Sequence, residues 1–264
     1  MEKKSKEKRA KSKSTHKGGW GRRLWRIFRN SVIVFFAVSI VWVLIDWFAP
    51  IFVTPLMVQR SIEFVLKGEM PKNSKTWVSI DEISPNMVQA VVASEDNLFL
   101  SHHGFSFEDM SKAFEHNLKG RRIRGGSTIS QQTAKNVFLF PHRSYVRKGL
   151  EAYFTVLMEL SWSKKRIMEV YLNVIEMGDG IYGIEAASLE YFGIHASQLS
   201  KSQAALIAAC LPNPRRFKAN HPSGYIQRRQ GHIIAVMSKV GPVIFDKVQS
   251  QPAKKHKRKH HTTK

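Results

Sequence analysis

Two adjacent carboxylates, Glu95 and Asp96, follow an apolar helical stretch at Met87–Ala93 and are the first candidates for acid–base chemistry. A carboxylate at the edge of an apolar helix is partly desolvated, which raises its pKa towards the range that a general base needs. Acids at a helix end also occur as solvated caps, so this segment alone leaves both interpretations open. His102 and His103 resemble metal ligands, but neighbouring side chains point to different faces, which argues against a shared metal ion.

A glycine pair followed by polar residues at Gly125–Asn136 indicates a second site, for an anionic ligand. The glycines let the backbone approach a ligand closely. Either Ser127 or Thr128 is expected to cap a helix whose N-terminal amides can bind an anion. The polar side chains that follow on this helix are Gln131, Gln132, Lys135 and Asn136. Their spacing gives a polar, cationic stripe suited to a phosphate-bearing, sugar-like ligand, with a plain exposed helix as the alternative.

A third cluster combines cations with one carboxylate. Arg143 precedes Arg147 by four residues, and Lys148 and Glu151 follow within about a helical turn. Such a cluster is either an ordinary salt-bridged helix face or a cradle for a pyrophosphate leaving group. In the second case Glu151 either acts on the ligand or holds a cation.

The charge of the chain lies mostly in its two ends. The formal net charge is +22, of which residues 1–30 carry +10 and residues 251–264 carry +6. Blocks of like charge repel one another and stay disordered. The stretch that contains the three clusters is therefore only mildly basic, and we expect no nucleic-acid partner.

An apolar run at Ser31–Phe48 is long enough to cross a membrane. Its eighteen residues hold one charge, Asp46, close to the end, and a bilayer core requires about 20 mainly apolar residues. Basic residues before the run place the N-terminus in the cytoplasm and the rest of the chain outside it. A buried core helix and a cleaved signal peptide are the alternatives.

The body of the chain shows helical rather than alternating periodicity, which predicts an all-α domain. The predicted helices of this domain are Met87–Ser94, Phe107–Leu118, Ser130–Asn136, Val146–Leu160, Ser163–Val174, Gly183–Phe192, Ser200–Leu211 and Gly224–Val240. The predicted segments are a basic tail at 1–30, a transmembrane helix at 31–49, a stalk and linker at 50–76, the domain at 77–248 and a basic disordered tail at 249–264.

The order of the motifs along the chain carries more information than any one of them. The motifs are EDxxFxxHxG at 95–104, GGSTxxQQxxKN at 125–136, RKxxE at 147–151, KxxIxxxYLN at 164–173 and AALIAACLPNPRRF at 204–217. Together they resemble the peptidoglycan glycosyltransferase family, which also forms the polymerising domain of bifunctional penicillin-binding proteins. The resemblance covers about 77–220 and looks like the monofunctional form, because no second catalytic domain follows.

The resemblance implies a lysozyme-like fold with a small membrane-associated subdomain, here expected at Phe105–Arg124 against the membrane interface. It implies that Glu95 deprotonates an acceptor sugar hydroxyl of lipid II, which attacks C1 of the growing strand with inversion. Undecaprenyl pyrophosphate would leave, with Glu151 as the second acidic residue. The residues implied in substrate binding are Asp96, Phe99, His102, Gly104, Ser127, Thr128, Gln131, Gln132, Lys135, Asn136, Arg143, Arg147 and Lys148.

The resemblance also implies a place in the bacterial cytoplasmic membrane, with the catalytic domain on the periplasmic or outer side. It allows a divalent cation such as Mg2+ and contacts with other cell-wall synthesis or division proteins, although no motif here is dedicated to either. A lytic enzyme that cuts finished glycan is the main alternative, because lysozyme-like folds do both. A membrane scaffold without activity would not explain why the polar motifs are concentrated at 95–151.

Overall fold

The computed structural model describes residues 18–106, 126–142 and 144–245. The last residues of the chain, most of the predicted subdomain at 105–124, Gly125 and Arg143 lie outside the described residues, as do the first seventeen residues of the N-terminal tail. The chain divides into two units, one that ends at Ile45 and one that begins at Asp46.

The described part of the first unit is helix α1, Gly18–Asp46, whose last residue belongs to the second unit. Its stretch Trp20–Asp46 is long and apolar enough to cross a membrane, with a mean hydropathy of 2.1. The predicted span therefore falls within one continuous helix that begins earlier than its apolar run, because the basic residues before Ser31 also favour helix.

The second unit is mainly helical, which confirms the predicted fold class. Among the residues that the structure describes, its helices are α2 (Pro55–Leu66), α3 (Pro85–Glu95), α4 (Ile129–Phe138), α5 (Tyr145–Ser161), α6 (Lys164–Val174), α7 (Ile184–Phe192), α8 (Lys201–Cys210) and α9 (Gly224–Val240). Short 3-10 helices lie at Ile80–Glu82 and Ala196–Gln198. Helices α2, α4, α5, α6, α8 and α9 each begin after a Ser or Thr whose hydroxyl accepts a backbone N–H of the first turn.

Helix α3 packs against α8 and α9, while α4 packs against α5 and α6. The side chains of Met87 and Val91 are fully buried, as are those of Ile167 and Leu172 on α6. Glu95 ends α3, and Gln132 and Lys135 lie on α4, so both groups of helices carry predicted site residues.

A small sheet was not predicted. Strand β1 (Ser74–Lys75) pairs in parallel with β3 (Ile181–Tyr182), and β3 pairs antiparallel with β2 (Glu176–Gly178). Strands of two or three residues are too short to show an alternating pattern in the sequence. The predicted stalk and linker at 50–76 contributes β1 to this sheet.

Candidate active site

Glu95 is the last residue of α3, and its carboxylate is held from two other helices. The Nε2 of Gln132 on α4 donates to Oε2 at 3.0 Å, and Nη2 of Arg229 on α9 lies 3.9 Å from Oε1. Burial raises the pKa of Glu95, while the Gln132 hydrogen bond and the Arg229 charge oppose that rise. A desolvated carboxylate with a raised pKa is a suitable general base.

Asp96 joins the end of α3 to the start of α4. Its buried carboxylate accepts the backbone N–H of Ile129 at 3.0 Å and contacts Nε2 of His102 at 2.9 Å. The Nδ1 of His102 accepts the N–H of Gly104 at 3.1 Å, so the ring proton lies on Nε2 and is donated to Asp96. Asp96 and His102 therefore position the loop beside Glu95.

Gly104 adopts a φ of 85°, in the left-handed region that favours glycine. Its carbonyl accepts the hydroxyl of Thr128 at 2.7 Å, which ties this loop to the cap of α4. A Cβ at this position would lie 2.7 Å from Cγ2 of Thr155 and 3.0 Å from Cγ of Glu159. Gly104 is thus required both by backbone conformation and by close packing.

We expect Gly104→Ala to lower the free energy of unfolding by about 1–3 kcal/mol, because it combines a strained φ with a steric clash. Gly149→Ala is the matched control, since Gly149 lies in α5 with no atom near its would-be Cβ. That change should be neutral or stabilising by about 0.5–1 kcal/mol. Denaturant unfolding of both variants measures the two changes in the free energy of unfolding. Equal changes would contradict the prediction.

Thr128 is the N-cap of α4, as one of the two predicted alternatives. The Thr128 hydroxyl accepts the N–H of Gln131, and Oε1 of Gln131 accepts the N–H of Thr128 at 3.0 Å, which completes a capping box. Both side chains are buried. Ser127 lies just before this cap, and its carbonyl is 3.4 Å from Nε2 of Gln132. The buried pair stabilises the helix that presents Gln132.

A cavity of about 380 Å³ opens beside α4. Gln132, Lys135 and Asn136 line it from one side and Arg147 from α5. The wall also includes Arg60, His142, Tyr171, Glu176 and Pro212. Burial lowers the pKa of Lys135, partly offset by the charge of Glu151. Gln132, Lys135 and Asn136 of the predicted stripe therefore line a cavity of a size suited to a small polar ligand, while Gln131 is buried in the cap of α4.

Glu151 is buried and paired with two cations. Its Oε2 lies 2.9 Å from Nη1 of Arg147, and its Oε1 contacts Nζ of Lys148. Because each oxygen already meets a protein cation, Glu151 does not fit a resident divalent metal ion. Within the described ranges, no three His, Cys, Asp or Glu side chains are grouped to hold a metal ion. The two ion pairs of Glu151 have the i,i+4 and i,i+3 spacing of a salt-bridged helix face, and Arg147 also lines the cavity, so both predicted alternatives stay open.

Several residues at this site were not assigned from sequence. The hydroxyl of Tyr171 donates to Oε1 of Gln132 at 3.4 Å, and Nε2 of the same amide donates to Glu95. The ammonium of Lys164 lies 4.7 Å from the ring centroid of Phe99, which is fully buried. Tyr171 and Lys164 belong to the KxxIxxxYLN motif, so their positions in it were a usable signal. Arg229 had no such signal.

Comparison with known proteins identifies the family of this chain. Residues 63–238 match the family described as Transglycosylase. A biosynthetic peptidoglycan transglycosylase of Bacteroides thetaiotaomicron is 52% identical over 241 residues, covering 90% of this chain and 97% of the relative. Relatives with the same name in Bdellovibrio bacteriovorus and Caulobacter vibrioides are 50% and 51% identical, covering 84% and 79% of this chain and 90% of each relative. The chain belongs to the transglycosylase family and is a peptidoglycan glycosyltransferase of cell-wall synthesis.

Proposed function

We propose that this protein polymerises lipid II into glycan strands, with Glu95 as the general base and undecaprenyl pyrophosphate as the leaving group. The observation that carries the proposal is the position of Gln132. It holds Glu95 at 3.0 Å and lines the same cavity as Lys135 and Arg147. One side chain therefore contacts the proposed base and also lines the cationic cavity. The reaction needs a base and cations close to each other.

In the proposed step, Glu95 takes the proton of the acceptor sugar hydroxyl as its oxygen attacks C1 of the growing strand. The new bond from that oxygen to C1 forms as the bond from C1 to the pyrophosphate oxygen breaks, with inversion. The raised pKa of Glu95 suits it to accept this proton. The negative charge that develops ends on the departing pyrophosphate.

The cations beside the cavity would stabilise that charge. Lys135 and Arg147 line the cavity itself, and Arg143 and Lys148 are the further predicted members of the cradle. Glu151 holds Arg147 and Lys148 through its two oxygens. We therefore assign Glu151 a positioning role, in which it fixes the cations that meet the leaving group.

The membrane topology is part of the proposal. Helix α1 would cross the bacterial cytoplasmic membrane once, with the basic N-terminal residues in the cytoplasm and the catalytic domain on the outer side. This topology keeps the site beside a substrate whose long lipid tail stays in the bilayer. The segment boundaries at 30, 49, 76 and 248 are likewise predictions from the sequence.

Incubation of the detergent-solubilised full chain with labelled lipid II tests the proposal. We expect a polymer that a muramidase digests, and no shortening of finished glycan supplied in its place. Loss of finished glycan, with no polymer from lipid II, would favour the lytic alternative and overturn the proposal.

Arg229 gives a prediction on pH dependence. Its charge lowers the pKa of Glu95, so Arg229→Met should raise that pKa. A base acts in its deprotonated form, and the acid limb of the kcat/KM profile for polymerisation should therefore move to higher pH. Arg229→Lys keeps the charge and should stay close to the unmodified protein. An unmoved acid limb in Arg229→Met would contradict the role given to Arg229.

A further inference from the structure

Helix α2 exposes apolar residues and turns its charged residues inwards. Its exposed apolar positions are Val58, Ile62, Val65 and Leu66. They follow the i, i+4, i+7, i+8 spacing of one helix face. Ile62 is 54% exposed and Leu66 is 81% exposed. A helix on the surface of a soluble protein normally shows the opposite pattern, with its polar residues towards water.

The polar residues of α2 are used on the side that faces the body. Nη1 of Arg60 lies 2.6 Å from Oε2 of Glu63, and its Nη2 lies 3.4 Å from Oε2 of Glu176 on β2. Nη1 of Arg215 lies 3.8 Å from the same Glu63 oxygen. The opposite edge of the helix buries Leu56, Met57 and Phe64. The exposed aliphatic residues therefore form a separate, third face.

The segment that leads into α2 is also apolar and exposed. Its large exposed side chains are Trp47, Phe48, Phe52 and Val53. The body holds the segment in place, because Arg166 donates to the carbonyls of Asp46 at 2.8 Å and of Ala49. Lys75 donates to the carbonyl of Phe52 at 3.1 Å. The segment is thus fixed to the catalytic unit, and it begins where the apolar helix α1 ends.

We propose that this surface, made of residues 47, 48, 52, 53, 58, 62, 65 and 66 and called here the α2 apolar face, lies in the lipid interface of the membrane. A lipid surface is the occupant because the face begins at the residue after a helix apolar enough to span. The exposed Lys67 and Lys72 follow it and can meet anionic headgroups. An amphipathic helix in this position lies in the plane of the interface.

The contact has a consequence for the active site. Leu56 and Arg60 of α2 line the cavity of about 380 Å³. One side of α2 would therefore rest on lipid while another forms a wall of the substrate cavity. This places the cavity at the height of the headgroups, where the pyrophosphate of a lipid-linked substrate lies. The inference rests on the proposed membrane topology, and its test does not depend on the reaction.

Lipid contact can be measured with an environment-sensitive probe on the full chain in liposomes of phosphatidylethanolamine and phosphatidylglycerol. Ile62→Cys and Leu66→Cys would each be labelled in a Cys210→Ala background. The native thiol is buried, and its removal leaves a single labelling site. Ser61→Cys is the matched control on the same helix, because Ser61 is only partly exposed. A spin-labelled lipid with its nitroxide near the headgroup then reports proximity by quenching.

We expect quenching at 62 and 66 to exceed that at 61 by about twofold or more, with blue-shifted emission at both positions. Equal quenching at the three positions, or water-like emission at 62 and 66, would overturn the proposal. Blue-shifted emission without lipid quenching would also overturn it, because protein would then cover the face. Polymerisation by the labelled variants is assayed separately, so a failed reaction and a failed lipid contact are distinguishable.

Discussion

Glu95→Gln is expected to lower the rate of glycan polymerisation by about 10²–10⁴-fold, the usual contribution of a positioned general base. The amide keeps the size of the side chain and can still accept the hydrogen bond from Gln132. It cannot take a proton from a sugar hydroxyl. The loss should appear in kcat on saturating lipid II, since the ground-state contacts of the substrate are unchanged.

Glu190→Gln is the control for this prediction. Glu190 is exposed on α7, so the substitution makes the same chemical change away from the site. Its polymerisation rate should match that of the unmodified protein. Thermal unfolding should show both variants folded. A Glu95→Gln protein that polymerises at the normal rate would remove the base from the proposed mechanism.

Lys135→Met carries the second large expected effect. Lys135 lines the cavity, and burial of its ammonium group there lowers the pKa of Lys135. A cation kept in such a place is preorganised to meet the charge of a departing pyrophosphate. Removing it should reduce kcat by about 10²–10³-fold, the range measured when one such group is lost.

The same change should not unfold the protein. Glu151 keeps its contacts with Arg147 and Lys148 in the variant, and a half-buried cation is replaced by an apolar chain of similar length. Lys218→Met, at an exposed position, is the matched control. Lipid II polymerisation assays on both variants, with circular dichroism as the check on folding, give the comparison. A Lys135→Met protein with full activity would show that the cavity does not hold the leaving group.

Seven of the eight predicted helices of the domain were predictable from sequence because their boundaries are marked locally, and the eighth, Phe107–Leu118, lies outside the described residues. Ser163 and Ser223 cap α6 and α9 close to the predicted starts, through hydrogen bonds to backbone N–H groups three residues ahead. The small sheet was not predictable in this way. Its pairing of Ser74 with Ile181 depends on contacts between distant parts of the chain.

The candidate site residues were identified by motif, but the motif does not separate side chains that face the cavity from side chains that support it. Gln132 and Lys135 line the cavity, while the side chains of Thr128 and Gln131 form the capping box of α4. All four fall within twelve residues of one polar motif. Only the rotation of the helix against α5 and α6 decides which side they face.

Arg229 was missed for a different reason. It lies in α9 among other basic residues, with nothing in its neighbours to mark it. It meets Glu95 because α9 packs against α3. The exposed apolar face of α2 was missed for a similar reason. From sequence alone, its aliphatic residues fit a buried helix equally well, and only the structure shows that the rest of the catalytic unit covers the other faces of α2.

Release of undecaprenyl pyrophosphate, measured together with polymer length on purified full chain and lipid II, tests the central claim most directly. We predict one lipid pyrophosphate released for each disaccharide added to a strand, with both signals lost together in Glu95→Gln. Polymer made without matching pyrophosphate release, or both signals retained in Glu95→Gln, would contradict the account.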